Sequence, residues 1–232
     1  MLEPADLRIR STADLAPEAA GVVAALLREA VHRRGAATLA LSGGTTPRAL
    51  HEALVSHAEV PWAHVFVYFG DERAVPPTHE DSNYLMAKES LLERVPIPES
   101  NVHRMHAEEP DRDAAARAYE AVLPPSLDLV LLGIGEDGHT ASLFPGHASL
   151  AETQRKVLPV VGPKPPPERL TLTPPALAAA RRRLMLAAGA GKAEAVARAL
   201  EGPWDPSRTP AQLARDGIWY VDEAAARLLS SR

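Results

Sequence analysis

The stretch Leu127-Asp-Leu-Val-Leu-Leu132, followed at once by Gly133-Ile-Gly-Glu-Asp-Gly-His-Thr-Ala-Ser-Leu-Phe-Pro-Gly146, decides how the chain reads. An aliphatic run this short, closed by glycine, suits a strand buried on both faces better than a helix. The same succession occurs twice upstream. Ala37-Thr-Leu-Ala-Leu41 runs into Ser42-Gly-Gly-Thr-Thr-Pro47, and Val65-Phe-Val-Tyr-Phe69 runs into Gly70-Asp-Glu-Arg-Ala-Val-Pro-Pro77. Helical patterns separate the runs. Residues 17–33 place Ala19, Val23, Leu26 and Ala30 on one face. A second helix opens with Thr46 as its cap and Pro47 in its first turn, and a third covers 82–94. Further strands are expected at 157–161, 169–173, 184–188 and 218–221.

Alternation of this kind predicts an α/β sandwich, a mostly parallel sheet flanked by helices, with residues 1–232 forming a single domain. Gly162-Pro-Lys-Pro-Pro-Pro167 reads as a rigid surface loop within it rather than a domain linker, because apolar strands continue on both sides. Ligands of such sheets sit outside the carboxyl ends of the strands. If the three strands ending at Leu41, Phe69 and Leu132 are neighbours, their polar loops meet at one edge.

The composition narrows the function classes. With 46% hydrophobic and 24% charged residues the chain is an ordinary globular one. It has no cysteine, which removes disulfides, thiolate metal sites and thiol nucleophiles. A net charge of −5 argues against nucleic acid as partner. No apolar run approaches the ~20 residues that span a bilayer. Met1 to Arg10 carries acidic residues and no apolar core, unlike a signal peptide. A cytoplasmic monomer is the expectation.

The three loops carry different chemistry. Ser42-Gly-Gly-Thr45 offers hydroxyls and backbone N–H groups ahead of a helix, a place for a phosphate or simply a well-capped turn. Asp71, Glu72 and Arg73 form either a substrate-orienting cluster or a surface ion pair. The third loop holds a formal G-x-G-x-x-G at Gly133, Gly135 and Gly138. It is not read as a dinucleotide site: Pro145-Gly146 interrupts the helix that should follow, and Asp137 would crowd a pyrophosphate. His139 is the candidate general base, since histidine titrates near neutrality, and Asp137 is placed to orient its imidazole or the attacking water. No His/Asp/Glu spacing suggests a metal, and no G-x-S-x-G suggests a serine nucleophile. Lys192, in Gly189-Ala-Gly-Lys-Ala193, reaches the same phosphate or is an exposed lysine. Arg169, at a strand start, is a phosphate clamp or a solvated end. Arg181-Arg-Arg183 reads as a solvated helix end.

Taken together, the stretches 41–47, 69–73, 82–84, 133–145, 169–173 and 191–193 resemble the 6-phosphogluconolactonase family, in the family's order. The Thr140-Ala-Ser-Leu-Phe-Pro145 ending is the most specific piece. The resemblance implies a Rossmann-like fold as in glucosamine-6-phosphate deaminases, and hydrolysis of 6-phospho-D-glucono-1,5-lactone without metal or organic cofactor. It makes His139 the base, with Asp137 beside it. It assigns the phosphate to Ser42, Gly43, Gly44, Thr45, Arg169 and Lys192, and the sugar ring to Asp71, Arg73 and Asp137. Asn83, inside a matched stretch, joins the substrate-binding set. The nearest rival is a deaminase of amino-sugar phosphates, which has a Glu where this chain has Phe144, and a phenyl ring transfers no proton. A sugar-phosphate sensor is the other rival; it would have no need of His139.

Overall fold

The computed structural model describes residues 5–230. Met1 to Pro4, where the segment read as lacking a leader begins, lie outside the described residues.

Six strands form one parallel sheet: β1 (Asp6–Arg10), β2 (Ala37–Leu41), β3 (Val65–Phe69), β5 (Leu129–Gly133), β8 (Arg183–Ala187) and β9 (Ile218–Asp222), in the order β1-β9-β8-β5-β2-β3. The central β5 and β8 are buried nearly end to end, as a sheet covered on both faces requires. The edge strand β1 alternates charge into its sequence and stays partly exposed, which discourages pairing with another chain. Trp219, Tyr220, Phe69 and a set of leucines fill the core.

The expected strands lie within a residue or two of their predicted positions. The sheet holds the expected parallel arrangement, and helices flank it. Helix α1 (Thr12–Arg34) packs along α2 (Thr45–Leu54) and against β1, β2 and β9, while α2 also meets β5 and β8.

Several details differ from the expectation. α1 begins five residues earlier than read, because Ser11 caps it by accepting from the Asp14 N–H, and Pro17 is carried inside the helix. Thr46 does not cap α2. Gly44 occupies the cap, the helix starts at Thr45, and no side chain among the described residues caps it. The third helix stops early: α3 is Asn83–Ser90, capped by Ser82, and the backbone breaks at Leu91 before a short 3-10 turn. Arg183 is not a solvated helix end. It opens β8, and its guanidinium bonds both carboxylate oxygens of Asp216 at 2.8 Å.

A second, three-stranded antiparallel sheet was not foreseen. It joins β4 (Asp71–Arg73), β7 (Glu168–Leu172) and β6 (Val157–Val161) in that order. The segment read as a loop after Phe69 is thus a short strand. Helix α4 (Arg112–Val122) packs on β6. The Pro-rich segment returns from β6 to β7 as the loop of that hairpin, in line with its reading as a surface loop.

Candidate active site

The loops leaving β2, β3 and β5 converge because these three strands are consecutive in the sheet. The loop leaving β8 joins them. At this carboxyl edge lies a cavity of about 220 Å³. Ser42, Gly43, Gly44, Thr45, Asp71, Arg73, Asn83, His139, Arg169 and Lys192 all line it. Asp137 does not reach the lining; it touches His139 from behind.

The phosphate-type loop enters from β2. α2 starts here without a side-chain cap, so its first N–H groups are open to an acceptor in the cavity. Lys192 approaches from the turn after β8, half-buried.

The loop after β5 is folded on itself. Gly135 N–H donates to the His139 carbonyl at 2.8 Å, and Thr140 Oγ1 donates to the Gly133 carbonyl at 2.9 Å. Asp137 Oδ1 accepts the His139 backbone N–H at 3.1 Å and lies 2.6 Å from His139 Nδ1. That contact assigns a proton to Nδ1, so that in the neutral ring the lone pair lies on Nε2. Burial pushes the Asp137 carboxyl up, but the backbone N–H and imidazole of His139 outweigh it and hold the group below the usual carboxylate range. The fold demands glycine at 135: a Cβ there would stand 2.0 Å from His139 Nδ1 and 2.5 Å from Asp137 Oδ1. Gly135 therefore makes room for a carboxylate–imidazole pair, and the next element is a 3-10 turn at Ala148–Ala151 rather than a long helix.

The opposite wall is the small sheet. Arg73 and Arg169 face each other directly across β4 and β7. Like charges in that register repel, so an arrangement that keeps both calls for an anion nearby. Arg73 donates to the Asp81 carbonyl at 2.8 Å and to its carboxylate at 3.3 Å. Arg169 is buried, and among the described residues its side-chain hydrogen bonds go to carbonyls alone, those of Pro166 at 3.2 Å and Lys164 at 3.3 Å. Burial lowers its pKa. A buried guanidinium with carbonyl partners keeps its charge available to a ligand.

Asp71 holds neighbours. Its carboxylate accepts from Ser142 Oγ at 2.6 Å and from Asn83 Nδ2 at 3.2 Å. Glu72 points away from the cavity. It accepts from Ser82 Oγ and the N–H groups of Arg73, Asn83 and Tyr84, which pull against the burial that pushes its pKa up. Glu72 thereby pins the start of α3, and α3 presents Asn83.

Sequence reasoning gave no positioning role to three residues at or beside the cavity, although it had used Phe144 to set the chain apart from a deaminase. Ser142 ties the His139 loop to the small sheet, since its N–H also donates to Thr171 Oγ1 at 3.1 Å. Ala141 lines the cavity at φ 48°, a left-handed conformation unusual for a side-chain-bearing residue. Phe144 packs its ring against His139. The Thr-Ala-Ser-Leu-Phe-Pro run was the available signal, but nothing in its composition separates a pinning serine from a solvated one. Among the described residues, His106, Glu108 and Glu109 could together hold a metal ion. They lie outside the cavity, and Glu108 is already paired with Arg104 at 2.7 Å.

Comparison with known proteins shows the family and agrees with the fold. The family model described as glucosamine-6-phosphate isomerases/6-phosphogluconolactonase matches residues 10–220. The chain is 39% identical to a 6-phosphogluconolactonase of Synechocystis sp. over 216 residues, covering 88% of this chain and 89% of that one. The solved structure of 6-phosphogluconolactonase from Trypanosoma brucei superimposes with a TM-score of 0.88 at 28% identity, over 99% of this chain and 100% of the other. A monomeric glucosamine-6-phosphate deaminase superimposes with a TM-score of 0.83 at 24% identity, over 96% and 99% of the two chains, which shows a shared fold.

Proposed function

The chain belongs to the glucosamine-6-phosphate isomerase/6-phosphogluconolactonase family, and we propose that its cavity hydrolyses 6-phospho-D-glucono-1,5-lactone to 6-phosphogluconate with His139 as general base. This is the second step of the oxidative pentose phosphate pathway. The observation that carries the reading is the pairing within one cavity of a carboxylate-held imidazole with three cations, Arg73, Arg169 and Lys192.

The substrate's phosphate takes the N–H groups of the Ser42–Thr45 loop together with Arg169 and Lys192. Arg73, Asp71 and Asn83 border the sugar ring. His139 Nε2 accepts a proton from water, and the hydroxide adds to the lactone carbonyl carbon. The tetrahedral intermediate collapses with cleavage of the bond to the ring oxygen, which takes its proton from the imidazolium. Asp137 holds the imidazole in the required tautomer and steadies the cation that forms. Such base assistance accelerates a reaction by roughly 10²–10⁴-fold, and a phosphate fixed at the far end adds orientation. A cytoplasmic monomer completes this reading.

The rival deaminase shares the fold, so the side chains must discriminate. Phe144, apolar and buried, offers no proton transfer. The test is to generate the lactone in situ from glucose 6-phosphate with a dehydrogenase and follow its loss. Loss well above the spontaneous rate, abolished in His139→Ala, is expected. Loss at the spontaneous rate with the native chain would overturn the reading.

A further inference from the structure

Phe144 is not part of the cavity lining, yet both groups packed against its ring are. The His139 imidazole lies 5.0 Å from its centroid at an interplanar angle of 45°. The Arg169 guanidinium carbon lies 5.6 Å from the same centroid. Gly162, at the start of the Pro-rich loop, closes another side. A Cβ at that position would stand 2.7 Å from the phenyl Cε2 and 2.8 Å from Cζ. The ring is 5% exposed and sits in a slot that the loop backbone completes.

The two cavity residues that Phe144 touches differ in what else holds them. Arg169 keeps hydrogen bonds to the carbonyls of Pro166 and Lys164 whatever becomes of the phenyl ring. Among the described residues the His139 side chain has one hydrogen bond, from Nδ1 to Asp137. An imidazole tethered at one corner can still pivot about that bond, and pivoting moves Nε2, the atom that must meet the water. We propose that Phe144 is a positioning residue for His139: its ring, backed by Gly162, stops the pivot and fixes where Nε2 points. This rests on the reading of His139 as the base. It also gives Gly162 a reason to be glycine, since any side chain there would press the phenyl ring toward the imidazole or the guanidinium.

The experiment is a double-mutant cycle on lactone hydrolysis. Phe144→Leu keeps the site apolar while removing the flat ring, and Gly162→Ala displaces the ring while keeping it. Each is measured alone and combined with His139→Ala. Phe144→Leu should lower kcat by roughly 10- to 100-fold, the scale of a misplacement of about 1 Å, with KM within about twofold. Gly162→Ala should lower kcat by a smaller factor. Neither should lower it further when His139 is already alanine, because the effect passes through the imidazole. Losses that multiply in the His139→Ala background would overturn the proposal, as would a rise in KM with kcat unchanged. A second readout needs no turnover. In the NMR spectrum of Phe144→Leu the His139 ring resonances should broaden by exchange between orientations, which loss of the phenyl ring current alone does not cause. Resonances as sharp as in the native chain would overturn the proposal even if the chain proved to hydrolyse no lactone. A chain that hydrolyses none but shows the broadening would overturn only the reading of its function.

Discussion

The cavity is walled by two sheets that work in different ways. On the parallel side, backbone makes the site: an uncapped helix start after β2 and a self-bonded loop after β5 that holds His139 against Asp137. On the antiparallel side, side chains make it. Arg73 and Arg169 oppose each other, and Asp71, Asn83, Glu72 and Ser82 are tied into one hydrogen-bonded network. The parallel edge follows from the arrangement of strands and helices, so any chain with this fold has something like it. The small sheet adds the charge and the rigidity that suit this edge to an anionic sugar. Changes at the His139–Asp137 pair should therefore appear in kcat, and changes on the small sheet in affinity and stability.

The largest expected effect breaks the first wall alone. His139→Ala should lower kcat by roughly 10²–10⁴-fold with little change in KM, measured by steady-state lactone hydrolysis. A comparable rise in KM would mean that His139 holds substrate and the division between the walls is wrong.

A second histidine sharpens the contrast. His51, on α2, is fully buried, and Ser90 Oγ, which donates to the Met86 carbonyl, lies 3.2 Å from its Nδ1. Its Nε2 has no partner among the described residues. Burial pushes its pKa from 6.5 down to about 4. Between these values the unfolded chain carries a proton that the folded chain lacks. Stability is therefore complete above pH 6.5 and is lost as pH falls toward 4, by about 3 kcal/mol in all. Urea denaturation at pH 7 and pH 4.5 should show this loss, and His51→Leu should lessen it. An unchanged pH dependence in the variant would assign the acid sensitivity elsewhere. Two histidines of one chain thus differ by access and partner: one is sealed and kept neutral, and the other faces a cavity with a carboxylate behind it.

The smallest effect concerns the seam between the walls. Ser142→Ala removes a buried hydrogen bond to a charged carboxylate and should cost about 1.5–3 kcal/mol of stability, read by chemical denaturation. A cost below about 0.5 kcal/mol would show that Asp71 finds another donor and that the seam is held elsewhere.

How much of this was legible depended on where the information sat. The strands β2, β3 and β5 announced themselves because buried strands need continuous aliphatic runs, and their loops announced the edge. The small sheet stayed hidden. β4 is three residues, all charged, with no apolar alternation to mark it, and it exists because β7 pairs with it across nearly 100 positions of sequence. β1 was overlooked for a similar reason: an edge strand carrying Asp6, Arg8 and Arg10 reads as a polar terminus. The site residues were found by their loops rather than by their partners. Asp71 was read as part of a substrate-orienting cluster or of a surface ion pair, and only the fold reveals Ser142 and Asn83 on its carboxylate. Thr46 and Pro47 suggested a capped helix, yet the cap went to Gly44, which leaves the helix end open where an anion would sit.

The most direct test of the account uses two lactones, one with the phosphate and one without. The native chain should show a much higher kcat/KM for 6-phosphoglucono-1,5-lactone than for glucono-1,5-lactone. Arg169→Met, which keeps an apolar stem against Phe144 but removes the charge, should reduce kcat/KM for the phosphorylated substrate by about 10- to 100-fold, the worth of one charged hydrogen-bonding contact. It should leave the unphosphorylated substrate within about twofold. An equal loss on both substrates would contradict the assignment of Arg169 to the phosphate and, with it, the division of labour between the two walls.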